Sequence, residues 1–168
     1  MKDQIEAALT GLIGKALWGA GRAGDVIWLH FGEQETVVTW RDTIKEVGEY
    51  ALHLQCAWRI TSTLGIHVGS QDIHYPAGKP LREEDFDVDL DQPGANRCDE
   101  KLSSLFKDQG ELLVDGISAD SLGGFRLLLS NGVTLEAFPD NSREGEFWRL
   151  FQPSKGIRHF VVTGGGIE

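Results

Sequence analysis

The clearest periodicity in the chain runs from Glu49 to Thr61. Tyr50, Leu52, Leu54, Cys56, Trp58 and Ile60 alternate there with Glu49, Ala51, His53, Gln55, Ala57, Arg59 and Thr61. A period of two puts alternate side chains on opposite faces of a strand, so the first set faces a core and the second faces away. Leu64 to Ser70 continues the alternation with Leu64, Ile66 and Val68. Matching the two apolar faces predicts a hairpin with Ile60 opposite Ile66 and Trp58 opposite Val68. The same register sets Arg59 opposite His67 on the polar face.

Upstream, Ile5, Leu9, Leu12, Ile13 and Leu17 recur at helical spacing and predict an amphipathic first helix. Gly19, Gly21 and Gly24 then read as a glycine-rich turn, followed by a buried strand from Asp25 to Phe31. Thr36 to Trp40 is rich in β-branched residues and is expected to pair with that strand across Gly32–Glu35. A second helix is predicted from Asn96 as its cap, with Cys98, Leu102, Leu105 and Phe106 as its apolar face and Gly110 as its stop. The last third reads as an antiparallel meander of Glu111 to Ser118, Phe125 to Ser130 and Val133 to Phe138, with Asn131-Gly132 as a type I′ turn. Glu146 to Phe151 suits a strand or a short helix, Arg158 to Thr163 a last strand, and Gly164–Gly166 a fraying tail. The expected fold is one α+β domain over residues 1–168, a mainly antiparallel sheet of hairpins and meander flanked by two helices.

Charge changes the picture of partners. Lys+Arg number 16 against 26 Asp+Glu, giving a formal charge of −10 at pH 7. Such a surface repels phosphate backbones and anionic lipids, which argues against nucleic-acid and membrane partners and equally favours a basic partner or a cation. Part of the excess is local: Asp85, Asp87, Asp89 and Asp91 alternate with Phe86, Val88 and Leu90, as on a strand with one acidic face. These four aspartates are the expected partner-binding residues. A calcium loop would need a glycine at its sixth place, where Leu90 stands, and a closing glutamate, where Asn96 stands.

Other motifs fail on chemistry. Gly19-Ala20-Gly21-Arg22-Ala23-Gly24 matches the dinucleotide fingerprint, but that site needs a strand before the glycines and a helix after them, and here the predicted order is reversed. Gly14-Lys15 lacks both the earlier glycine and the following Ser/Thr of a phosphate loop. Cys56 and Cys98 sit on apolar faces and are expected to pack in the core as small hydrophobes, as are Trp28 and Trp58. No motif assigns a catalytic residue, a metal site or a cofactor. The candidate ligand cluster is His53, Arg59 and His67, which the predicted hairpin brings to one polar sheet face; His30, Asp72 and His74 would join them if their strands are neighbours.

Tyr50 to Ile60, Gly123 to Leu129 and Glu146 to Phe151 resemble an uncharacterised family of small bacterial proteins. The resemblance implies no activity. In general form, a small acidic α+β chain with many aromatics is also similar to bacterial toxin-immunity proteins. The expectation is therefore a cytoplasmic, non-enzymatic module that binds a basic protein, in the manner of an immunity protein. The alternatives are a small-ligand binder or enzyme centred on His53, Arg59 and His67, and a homodimer pairing sheet edges. Acidic residues at the N-terminus and Lys15 within the first apolar run argue against a secretory signal.

Overall fold

A computed structural model describes residues 1–39, 41–78 and 89–168. Trp40, Asp85 and Asp87, with most of the expected acidic strand, lie outside the described residues. Within the described residues the chain forms helix α1 (Lys2–Leu9), then strands β1 (Ala16–Ala23), β2 (Val26–Val38), β3 (Ile44–Leu54), β4 (Ala57–Ser62) and β5 (Gly65–Gly69). Helix α2 (Arg97–Asp108) follows, and then β6 (Leu112–Ala119), β7 (Phe125–Leu129), β8 (Thr134–Phe138), β9 (Glu146–Phe151), β10 (Phe160–Thr163) and β11 (Gly166–Ile167). Every pairing between these strands is antiparallel, in the order β11-β10-β9-β3-β2-β1-β6-β7-β8-β4-β5. The chain is thus α+β and mainly antiparallel sheet, with α1 packed on β6 and α2 on β5 and β1.

The position of β4 determines the shape of the sheet. Five strands separate β3 from β4 in the order, yet only Gln55 and Cys56 connect them. In a flat sheet the two would stand roughly 29 Å apart, whereas a two-residue link reaches roughly 11 Å. The sheet therefore folds back on itself, and the Phe147 carbonyl accepts both the Gln55 and Cys56 amides at the corner, at 2.8 and 3.1 Å. The enclosed space is the core. Trp148 is fully buried in it, meets the Phe125 ring edge-on at 4.8 Å and donates its indole N–H to the Gly123 carbonyl at 2.7 Å.

Several expectations need correction. Glu49 to Thr61 is two strands and not one. The alternation passes unbroken through the corner, because Leu54, Cys56 and Trp58 all stay buried while the chain changes neighbours. In the β4–β5 hairpin Ile60 faces Val68 and Arg59 faces Gly69, two residues beyond the expected register: the tight turn that sets Ser62 opposite Gly65 accounts for one and the bulge after Ile60 for the other. Leu17 and the glycines Gly19 and Gly21 belong to β1, so the first helix ends at Leu9 and a 3-10 turn carries Leu12 into the core. Residues 26–38 form one long strand instead of a hairpin. Gly32 accommodates a bulge there at φ +77, a left-handed conformation that glycine takes without strain. Gly164–Gly166 is a turn returning into β11, with Val162 opposite Ile167, and not a loose tail. Glu146–Phe151 resolves as strand β9.

Helix α2 and the last meander match the reading. The Asn96 side chain accepts the Asp99 amide, Cys98, Leu102 and Leu105 are buried, and Gly110 takes φ +66 beyond the helix end. Asn131 and Gly132 both have positive φ, 62 and 70, as a type I′ turn requires.

Candidate functional site

Strand β1 pairs with β2 from Leu17 to Ala23, with a bulge at Trp18, but with β6 only at Ala16 and Leu17. From Trp18 to Ala23 its other edge has no strand partner among the described residues. Helix α2 runs beside this edge. Between them lies a cleft of about 770 Å³, walled on one side by Ala20–Gly24 and on the other by Asp99, Leu102, Ser103 and Phe106. Those four recur at three- and four-residue steps, which places them on one helix face. Trp28 reaches the cleft from β2 because Gly21, directly opposite it, has no side chain. A Cβ at Gly21 would sit 2.4 Å from the Trp28 Nε1 atom.

Among the described residues one cation lines the cleft, and it is engaged. The Arg22 side chain is only 10% exposed. Its Nε donates to Asp99 Oδ1 at 2.8 Å, and its Nη2 donates to Asp99 Oδ2 at 3.3 Å and to the Leu90 carbonyl at 2.8 Å. The hydrogen bond that it donates to Asp99 holds the guanidinium more firmly protonated than usual, against the opposing effect of burial. Asp99 also accepts the Gly94 amide at 2.8 Å, and the fully buried Asn96 donates to the Leu90 carbonyl at 2.9 Å. The helix cap, the loop before it and β1 are thereby tied together. With Asp91, 90% exposed and 3.8 Å from Arg22, the described residues of the cleft carry two carboxylates against one guanidinium.

The three predicted ligand residues stand apart, with no neighbour in common among their contacts. His53 lies on the outer face of β3, in edge contact with Phe151 at 4.9 Å and tilted against Trp28 at 6.3 Å. Burial, followed by the Arg149 charge, pushes its pKa down to about 4, so the ring is neutral at pH 7. Arg59, on β4, donates to Glu136 at 2.6 Å and lies over the Phe138 ring. Glu136 also accepts from Arg126, and these hydrogen bonds, led by Arg59, hold its carboxyl below the usual range. His67 donates from Nε2 to the Lys101 carbonyl at 2.9 Å, against α2. The expected pairing of Arg59 with His67 is replaced by Arg59 beside Gly69.

His53 belongs instead to a row of rings on the outer face of β1, β2, β3 and β9. Trp18 stacks on His30 at 5.2 Å, and Phe151 stacks on His159 at 4.1 Å. His30 accepts the Gly48 amide at Nδ1, and its pKa is lowered first by burial and then by Lys45. Trp28 is part of this row with Lys45 over its ring, so it is not the core residue the pattern predicts, whereas Trp58 is, at 3% exposure. Asp72 accepts the Gly69 amide and faces Arg97, and it shares no contact with His30. Cys56 and Cys98 are buried as expected, and loss of solvation raises both thiols to about 12.

Of the predicted acidic residues, Asp91 faces the cleft. Asp89 turns back on its own loop, accepting the Asp91 amide at 3.1 Å and the Gln92 amide group at 3.1 Å, and neither lies in a strand. Sequence reading missed Arg22, whose partner Asp99 is 77 positions away. The capping asparagine at position 96 was the one local signal near it. No helix among the described residues is long and apolar enough to cross a membrane. Comparisons with protein families, curated proteins and solved structures found no match, and none bears on the resemblances noted above.

Proposed function

We propose that this protein is a non-enzymatic binding module that receives a basic protein partner in the cleft between β1 and α2. One observation carries the reading: the cleft has an apolar wall from Leu102, Phe106 and Trp28, and the charge balance of its described residues is negative because Arg22 is already paired with Asp99. A cationic partner finds the exposed Asp91 carboxylate with no competing free guanidinium among the described cleft residues, and the overall charge of −10 speeds its approach. An immunity-type protein that covers a basic surface is one form such a module takes.

Titration with oligolysine and oligoglutamate peptides, read by tryptophan fluorescence with Trp28→Phe as control, tests this. Oligolysine is expected to quench or shift the Trp28 emission, less so in Asp91→Asn and less so as salt approaches physiological strength. Equal binding of both peptides, or binding of neither, would defeat the reading.

A further inference from the structure

We infer that the partner contributes an extended segment that adds as a strand to the free edge of β1, with α2 as the opposite wall. This rests on the binding reading above and specifies its mode. Counting from the two-residue turn Gly24-Asp25, the pairs Ala23–Val26, Gly21–Trp28 and Gly19–His30 exchange hydrogen bonds with β2. The N–H and C=O groups of Ala20 and Arg22 therefore point to the open edge, and no backbone group among the described residues receives them. Such an edge is complementary to another extended backbone and to little else.

The terminal edges of the sheet are blunted by brevity: β11 has two residues, and β5 has five with a glycine at each end. Among the described residues nothing comparable blunts the β1 edge. It has no proline, and its single charge, Arg22, turns aside to Asp99. A segment of about six residues, roughly 20 Å long, matches the free stretch Trp18–Ala23. Its alternate side chains would face Leu102 and Phe106, which asks for apolar residues at every second position. A basic residue would lie at the Asp91 end, beside Arg22 and the β1–β2 turn.

The probe is the capped peptide Lys-Val-Lys-Val-Lys-Val, titrated into the uniformly ¹⁵N-labelled chain. Two analogues carry backbone N-methyl groups, one at every lysine and one at every valine. An added strand turns the N–H groups of only one set toward β1, so one analogue is expected to bind at least roughly tenfold more weakly while the other stays close to the parent. The Ala20 and Arg22 amides should shift and exchange more slowly with solvent when the parent peptide is bound. Binding with no dependence on which set is methylated would overturn strand addition and leave the binding reading intact. No shift at millimolar parent peptide would overturn both. Concentration-dependent protection of the same two amides without peptide, with a dimer by light scattering, would make a second copy the occupant and overturn the proposal.

Discussion

Removing the Asp99 carboxylate is the most direct probe of how the cleft is held. In Asp99→Ala the Arg22 guanidinium stays largely out of water, at 10% exposure, and keeps the Leu90 carbonyl and a distant contact with Asp91. Leaving such a charge without its partner costs about 3–4 kcal/mol. With a urea slope of about 2 kcal/mol per M, the unfolding midpoint should fall by roughly 1.5–2 M. Arg22→Met should cost less, about 2 kcal/mol, because Asp99 keeps the Gly94 amide and has more access to solvent. The double variant removes both charges, so its cost should lie at least about 1.5 kcal/mol below the sum of the single variants. Urea unfolding of all four proteins, followed by circular dichroism, gives this coupling directly. Additivity within about 0.5 kcal/mol would show that the pair is not a coupled unit and that Arg22 reaches solvent by another route.

Three further outcomes follow from geometry. The folded-state pKa of His53 is depressed, so its contribution is present above about pH 6.5 and is lost as the pH falls toward 4. With its partial exposure discounted, that loss is at most about 2 kcal/mol. His53→Phe should flatten the stability profile in this window, and an unchanged slope would assign the acid sensitivity elsewhere. Gly21→Ala must displace the Trp28 indole and should lower the melting temperature by roughly 2–4 °C while shifting the tryptophan emission, whereas an unaltered melt and spectrum would refute that contact. Trp148→Phe strands the Gly123 carbonyl and opens space in the core, for an expected loss of about 2–3 kcal/mol in chemical denaturation; a loss below about 1 kcal/mol would show that water or repacking replaces the indole.

The legible parts of this fold were those specified by neighbours in sequence. Asn96 caps the helix it begins, and Asn131-Gly132 makes the turn it encodes. Strand β1 was illegible because Gly19 and Gly21 have little intrinsic preference for a strand, and the role of Gly21, making room for Trp28, depends on β2. The corner at Gln55-Cys56 was hidden for the opposite reason. Its burial pattern is so regular that a change of strand partners leaves no trace in the alternation. Of the candidate site, Asp91 was legible as part of an acidic run. Arg22 was not, since its environment is assembled from the cap of a distant helix and the loop before it. The corner at Gln55-Cys56 parts His53 from Arg59, and a two-residue change of register, half from the tight turn and half from the bulge after Ile60, parts Arg59 from His67.

The corner also sets a timetable. Gln55 and Cys56 are made in the first third of the chain, but the carbonyl that pins both of their amides belongs to Phe147. During synthesis from the N-terminus, the first five strands can pair in hairpins, yet the bend between β3 and β4 has no anchor until β9 is available. Trp148, which fills the core beneath that bend, arrives one residue later. Nascent chains stopped short of residue 146 should therefore remain sensitive to protease around Gln55 and become resistant once β9 has left the ribosome. The fold closes from its far end.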